Sequence, residues 1–228
     1  MTLAKYRLSA LLPMKAHSQR VQGKNFRSFL GKPLFHWILD TLLAVEAIDR
    51  IVINTDAEDL LMKNGLRVHD KILLRQRKPA LCGDFVSMNK VLQDDVENVE
   101  SELFLMTHST NPLVSQKTIE MALGTFLAKW LNKECDSLFS VNKLQTRFYR
   151  ADASPVNHDP ANLIRTQDLE PWYEENSNLY IFSKESFLQT QARIGAKPML
   201  FEVPRLESID IDDQESWDLA ELIGQRKS

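Results

Sequence analysis

The chain has 228 residues, 43% of them hydrophobic, and a formal net charge of −3. That length and composition suit one soluble α/β domain, and the charge excludes bulk attraction to nucleic acid, so any anion site must be local. The two cysteines, Cys82 and Cys135, form neither a metal spacing nor a disulfide framework. Without a signal-peptide pattern or an apolar run of membrane length, the expected location is the cytoplasm, with no membrane partner.

In chain order, the apolar run Leu8 to Leu12, closed by Pro13, reads as a buried strand. A polar loop follows, with cations at Lys15, Arg20 and Lys24 and small or polar groups at Ser18, Gly23 and Asn25. Gly31-Lys32-Pro33 leads into a helical pattern over Leu34 to Leu43. Strand, cationic loop and helix start are the parts of a phosphate site at the carboxyl edge of a parallel sheet. The same stretch also reads as an ordinary solvated basic loop; it contains neither GxxxxGK[ST] nor GxGxxG.

Ile51 to Asn54 reads as a second strand, Ala57 to Asn64 as a helix that Asp56 would cap, and Val68 to Leu74 as a third strand. Arg75, Arg77 and Lys78 follow as a charged turn. Ser87 to Val99 reads as a helix, and Leu103 to Met106 as a strand that ends in Thr107-His108-Ser109-Thr110-Asn111-Pro112. Ile119 to Trp130 is an amphipathic helix and Ser137 to Val141 a strand. The stretch from Asn142 is turn-rich, and Tyr173 to Phe182 restores an apolar pattern. This alternation predicts a mostly parallel sheet between helices.

Near the end stands Ser208-Ile209-Asp210-Ile211-Asp212-Asp213, then the helical Trp217 to Glu221. Read as a strand, it puts Asp210 and Asp212 on one face and Ile209 and Ile211 on the other. Two adjacent carboxylates repel unless a cation lies between them, and Mg²⁺ takes one or two carboxylates plus substrate phosphates. The competing reading is a loop in which Asp213 caps the last helix.

These pieces together resemble the sugar-activating cytidylyltransferases, the CMP-sialic acid synthetase family. The family's I-P-A-R-G-G-S-K-x-I-P-x-K-N is similar to L-P-M-K-A-H-S-Q-R-V-Q-G-K-N here, with Pro13, Ser18, Lys24 and Asn25 matching and Lys15 in place of the arginine. Arg77, Leu81, Asp84 and Ser87 coincide with R-P-x-x-L-A-x-D-x-x-S. Thr110, Pro112 and Leu113 match Q-x-T-S-P-L, with His108 at the glutamine, and Asn176 and Tyr180 match F-R-P-N-G-x-x-Y. The pair Asp210 and Asp212 matches the family's S-I-D-I-D.

The resemblance implies a three-layer α/β/α sandwich of the nucleotide-diphospho-sugar transferase type. It would be one domain over residues 1–228, with a small arm near 142–175 for a homodimer. It implies Mg²⁺-dependent CMP transfer from CTP to a small acidic acceptor. Pro13, Lys15, Ser18, Arg20, Lys24, Asn25, Arg77 and Ser87 would hold the nucleotide. Lys15, Lys24 and Asp212 would act in catalysis, with the metal on Asp210 and Asp212. His108, Thr110, Arg165, Asn176 and Tyr180 would face the acceptor. Glu174 stands where the family has the arginine that holds the sugar carboxylate, which predicts an acceptor other than N-acetylneuraminate. A glycosyltransferase of the same fold, CMP transfer to a non-sugar acid such as a phosphonate, and a catalytically weakened binding homologue are the alternatives.

Overall fold

A computed structural model describes residues 5–16 and 21–226. Its elements are β1 (Leu8–Leu11), β2 (Ser28–Phe29), β3 (Lys32–Pro33), α1 (Leu34–Ala44), β4 (Arg50–Thr55), α2 (Glu58–Lys63), β5 (Ile72–Gln76), α3 (Met88–Asn98), β6 (Leu103–Met106), α4 (Gln116–Trp130), β7 (Ser137–Leu144), β8 (Trp172–Ser183), α5 (Lys184–Thr190), β9 (Pro198–Glu202) and α6 (Gln214–Gln225).

Seven strands form the main sheet in the order β5-β4-β1-β6-β8-β7-β9. β8 alone among them runs against the rest. Side chains alternate across the sheet because strand residues two apart share a face. Leu8, Ala10, Ile51, Ile53, Leu103 and Leu105 pack with α1 and α4. Leu11, Val52, Phe104 and Met106 pack on the other face with α3 and α5. Helices therefore cover both faces, the expected three-layer sandwich. Strand order reverses at β1, with β4 and β5 to one side and β6 to the other. In doubly wound sheets that reversal opens a crevice at the carboxyl ends of the strands.

A satellite core locks the loop after β1 to the C-terminus. The β2–β3 hairpin turns at Leu30 and Gly31, both with positive φ (47° and 88°), as tight hairpins require. Phe29 of this hairpin meets Trp217 of α6 edge-on at 5.5 Å, and Leu34, Leu113, Ile211 and Ala220 close the cluster. The acidic segment is thereby fastened beside the opening loop, some 190 residues away in sequence.

Several expected boundaries move. The third strand starts at Ile72, because Arg67 to Asp70 form an exposed turn in which the His69 carbonyl accepts the Ile72 N–H at 2.8 Å. Asp56 does not cap α2: the Thr55 hydroxyl accepts the Ala57 N–H at 2.9 Å, while Asp56 accepts the Ala16 N–H at 2.8 Å. Residues 208–213 form no strand. One backbone bond, from Ile211 N–H to the Thr110 carbonyl at 2.9 Å, ties them to the loop after β6, and Ile209 and Ile211 still share the satellite core without a ladder. Asp213 caps α6 in a reciprocal box with Ser216. The helix α5 and strand β9 carry no strong periodicity in the sequence; β9 is an edge strand with alternating exposure.

Candidate active site

At the carboxyl ends of β1 and β6 lies a cavity of about 480 Å³. The loop after β1 contributes Pro13, Met14 and Lys15, and the 3-10 turn Lys24–Phe26 contributes Lys24 and Asn25. The loop after β6 contributes His108, Ser109 and Thr110, and the acidic segment Asp210 and Asp212. Arg77, Asp84, Met88 and Ser177 complete most of the wall.

Gly23 starts the 3-10 turn in the left-handed conformation (φ 61°), which aims Lys24 inward. The Lys24 ammonium donates to the Ile211 carbonyl at 2.5 Å and stands 3.5 Å from the Asp212 carboxylate. Asn25 is buried: its amide donates to the Lys15 carbonyl at 3.1 Å and its oxygen accepts from Ser109 at 2.7 Å. It ties the β1 loop to the β6 loop. Lys15 meets Asp84 across the cavity mouth at 2.6 Å, with both side chains nearly half exposed.

Arg77 is buried under the loop. It donates to the Met14 carbonyl at 3.1 Å, and to the Asn54 side-chain oxygen and carbonyl at 3.0 and 2.8 Å. Asn54 in turn donates to Asp95 at 2.8 Å; Arg75 bonds Asp95 at 2.9 Å and Asp94 at 2.8 Å. Burial pulls the Arg77 guanidinium down from its usual value, against the opposing charges of Asp56, Cys82 and Asp95; an arginine stays cationic under such shifts. Burial pushes Asp95 up to about 6, against the bond from Asn54 and the charge of Arg75. The charged turn at 75–78 is thus part of a partly buried network beside the cavity.

On the β6 side, burial pulls His108 down to about 4, assisted by Arg193 and Lys24 and opposed by Asp212. It is a neutral imidazole at physiological pH.

Of the expected site residues, Pro13, Lys15, Lys24, Asn25, Arg77, His108, Thr110, Asp210 and Asp212 line the cavity together. Ser18 and Arg20 lie outside the described residues. Ser87 is an exposed residue at the start of α3, beside the cavity-lining Met88. Arg165 is exposed and paired with Asp168 at 2.7 Å, away from the cavity. Asn176 is buried in a bond network with Ser140 (2.6 Å) and Asn142 (3.1 Å). Tyr180 is a core residue whose hydroxyl donates to Glu175 and lies 3.3 Å from that of Ser177. Glu174 is exposed and bonds Asn142 at 3.1 Å; it does not line the cavity. Sequence reading missed the bracing roles of Asn54, Asp95 and Ser109. The one available signal was that Asn54 and Asp95 are polar residues at core-facing positions of a strand and a helix.

A cationic loop, a buried lysine and two carboxylates thus meet at the switch point of a doubly wound sheet, groups of the kind that suit phosphates. Residues 9–226 match the family model described as cytidylyltransferase, and the chain belongs to that family. It is 24% identical to pseudaminic acid cytidylyltransferase of Campylobacter jejuni over 93% of this chain and 94% of that protein. It is 23% identical to N-acylneuraminate cytidylyltransferase A of Danio rerio, and to the N-acylneuraminate cytidylyltransferase of Streptococcus agalactiae, spanning about half of each (50% and 51%). Among solved structures, CMP:2-keto-3-deoxy-manno-octonic acid synthetase complexed with CTP superposes with a TM-score of 0.68 at 12% identity, covering 97% of this chain and 100% of that one. The 4-diphosphocytidyl-2C-methyl-D-erythritol synthase of Anaerococcus prevotii gives 0.68 at 14% identity, covering 98% of both chains. These two show the fold; the family match favours cytidylyl transfer over the glycosyltransferase alternative.

Proposed function

We propose that this protein transfers CMP from CTP to an acidic sugar of the nonulosonic class and releases pyrophosphate. The observation that carries this is one cavity gathering Lys15, Lys24, Arg77, Asp210 and Asp212 at the strand-order reversal of a cytidylyltransferase-family chain. The names of its relatives, for pseudaminic acid and N-acylneuraminate, support the acceptor class.

An acceptor hydroxyl attacks the α-phosphorus of CTP; the new P–O bond forms as the bond to pyrophosphate breaks, and the hydroxyl proton passes to solvent. The protein's task is alignment and charge compensation. Lys24, fixed between the Ile211 carbonyl and Asp212, offers a buried cation to the phosphates. Lys15 exchanges its half-exposed contact with Asp84 for the more highly charged triphosphate. Ser18 and Arg20 belong to the same proposed grip. Asn25 and Arg77 hold the loop's backbone in place.

Asp210 and Asp212 suit Mg²⁺: they are hard oxygen donors lining one cavity with the cations proposed to hold the triphosphate. That matches an ion completing its shell with substrate phosphates. Bound there, the metal would offset charge on the transferring phosphoryl group.

Neutral His108 and the Thr110 side chain would hydrogen-bond the acceptor. A homodimer through the 142–175 arm belongs to this reading, supported by exposed Leu163, Ile164, Trp172 and Tyr173. So does a cytoplasmic location; among the described residues no helix is long and apolar enough to cross a membrane.

The test is pyrophosphate release from CTP and Mg²⁺ over N-acetylneuraminate, pseudaminate, 3-deoxy-octulosonate and phosphonates, with nucleotide-sugar hydrolysis alongside. Release with a nonulosonic acid is expected. Release with phosphonates alone, or with none, overturns the acceptor class.

A further inference from the structure

The acid group of such an acceptor needs a cation, and the positions expected to supply one do not. Arg165 is exposed and held by Asp168, Glu174 is a carboxylate turned to Asn142, and His108 is neutral. Lys15, Lys24 and Arg77 are engaged by groups on the nucleotide side. Two cations act on His108, Lys24 and Arg193. The second comes from a stretch that no motif touches.

Arg193 lies between α5 and β9. The guanidinium carbon sits 3.8 Å from the centroid of the Tyr180 ring, and one terminal nitrogen is 3.9 Å from the Met106 sulfur at the end of β6. Its backbone N–H reaches Asn89, next to Met88 of the cavity wall, at 3.4 Å. The Tyr180 hydroxyl beneath it lies 3.3 Å from that of Ser177, also in the wall. The side chain is 20% exposed, and its ionic contact is with Glu175 at 3.4 Å, longer than a well-formed charge-assisted bond. The following turn is pinned: Asp136 accepts the N–H groups of Ala196 and Lys197 at 2.8 and 2.9 Å, and Ser137 accepts that of Gly195 at 2.8 Å.

We propose that Arg193 binds the carboxylate of the acceptor and so selects acidic acceptors. This rests on the CMP-transfer reading above. The guanidinium is not itself in the cavity wall but is tied to it through Tyr180, Met106 and Asn89, so its long side chain turns forward to meet the ligand. A planar fork matches a carboxylate with two parallel bonds, where an ammonium offers a point charge. Glu175 holds the fork loosely in the unliganded chain and retains the Tyr180 hydroxyl when the acceptor displaces it. Stacking on Tyr180 limits the freedom lost on binding.

The experiment is steady-state kinetics with whichever panel acid the wild type uses best, in Arg193→Gln and Arg193→Lys, with CTP binding measured by calorimetry. Removing a partly buried charged partner should raise the acceptor KM by ~30-fold in Arg193→Gln and less in Arg193→Lys, with CTP affinity within about twofold of wild type. Glu175→Gln, which removes the competing charge and keeps an acceptor for Tyr180, should lower the acceptor KM by about threefold; it also reports if Arg193→Gln fails to fold. An unchanged acceptor KM in either Gln variant, or an equal loss in CTP affinity, overturns the role of Arg193 and leaves CMP transfer standing. A wild type that uses no acid overturns both.

Discussion

The two sides of the cavity are built differently. On the β1 side Lys24, Asn25 and Arg77 are fixed by partners inside the chain: Lys24 by Ile211, Asn25 by Lys15 and Ser109, Arg77 by Met14 and Asn54. Behind them lies a second rank, Asp95, Arg75 and Asp94. On the far side, β7 and β8 run out beyond the sheet into the stretch 145–171, where Arg165–Asp168 and Tyr149–His158 are local ties among exposed residues. A site that handles a triphosphate must hold several charges before the ligand arrives, and rigid dipoles and cations do so without reorganising. In the proposed reading the far side meets an acceptor of smaller charge, which few residues can set. Perturbation should therefore cost most on the β1 side.

The largest effect is expected at the acidic pair. Asp210→Asn and Asp212→Asn should each lower kcat by ~100-fold or more, as loss of one preorganised electrostatic contact does. Asp212 is 43% exposed and its backbone N–H bond to Ser216 survives the change, so stability should shift by only ~0.5 kcal/mol. Turnover should also stop when a chelator removes divalent cations. Near-normal kcat in both variants at saturating Mg²⁺ would remove the metal assignment and erase the contrast between the two sides.

Lys24→Ala comes next. It removes a cation that contacts phosphates before and during the reaction, so KM for CTP should rise and kcat fall by ~10-fold each. The acceptor KM should move much less. If instead the acceptor KM takes the larger loss, Lys24 belongs to the other wall.

This asymmetry also governs what could be read from the chain. The convergence of Pro13, Lys24, Asn25, Arg77, Asp210 and Asp212 on one cavity was legible because this wall is assembled from short local runs, most of them at strand ends. There a motif's spacing carries its geometry. The layered fold was legible for a similar reason, since alternating strands and helices leave strong periodic patterns. Arg165, Asn176 and Tyr180 fared differently. They lie on or before a long antiparallel strand whose register decides which side chains reach the cavity, and register is a property of the pairing with β6 and β7. Asn176 and Tyr180 went to the buried layer. Arg193 sits in a turn with no pattern, positioned by Tyr180 and Asp136 across the sheet edge.

A smaller effect on turnover tests the second rank. The Asp95 carboxyl is raised from 3.8 to about 6, mainly by burial. Between those values the folded chain keeps a proton that the unfolded chain releases. The contribution of this group to stability is therefore full below about pH 4 and is lost as pH rises toward 6. Denaturant titrations of wild type and Asp95→Asn across that window should differ by this fall, which the variant lacks. Because Asp95 reaches the loop only through Asn54 and Arg77, the KM for CTP should rise by about threefold at most, one shared hydrogen bond's worth. A flat difference across the window would show that the network does not hold the proton in the folded chain.

The smallest effect is expected at Glu174, where the sequence departs from the family pattern. Alignment with the family pattern puts this carboxylate where an arginine would hold the sugar acid, which predicts that Glu174→Arg improves use of N-acetylneuraminate. The geometry gives the opposite expectation. Glu174 is on the exposed half of β8, its carboxylate accepts from Asn142 at 3.1 Å, and the next residue, Glu175, faces Tyr180 and Arg193. Successive strand residues point to opposite faces, so the register that sends Glu175 toward Arg193 sends Glu174 away. An arginine at 174 would exchange an exposed hydrogen bond for solvent, a change within about 0.5 kcal/mol in stability. The kcat/KM for N-acetylneuraminate and for pseudaminate should each stay within about twofold of wild type, less than half a typical net hydrogen bond in free energy. A gain of ~10-fold or more for N-acetylneuraminate alone would instead place residue 174 at the acceptor in the working enzyme, and would make β8 rather than the turn at Arg193 the seat of acceptor choice.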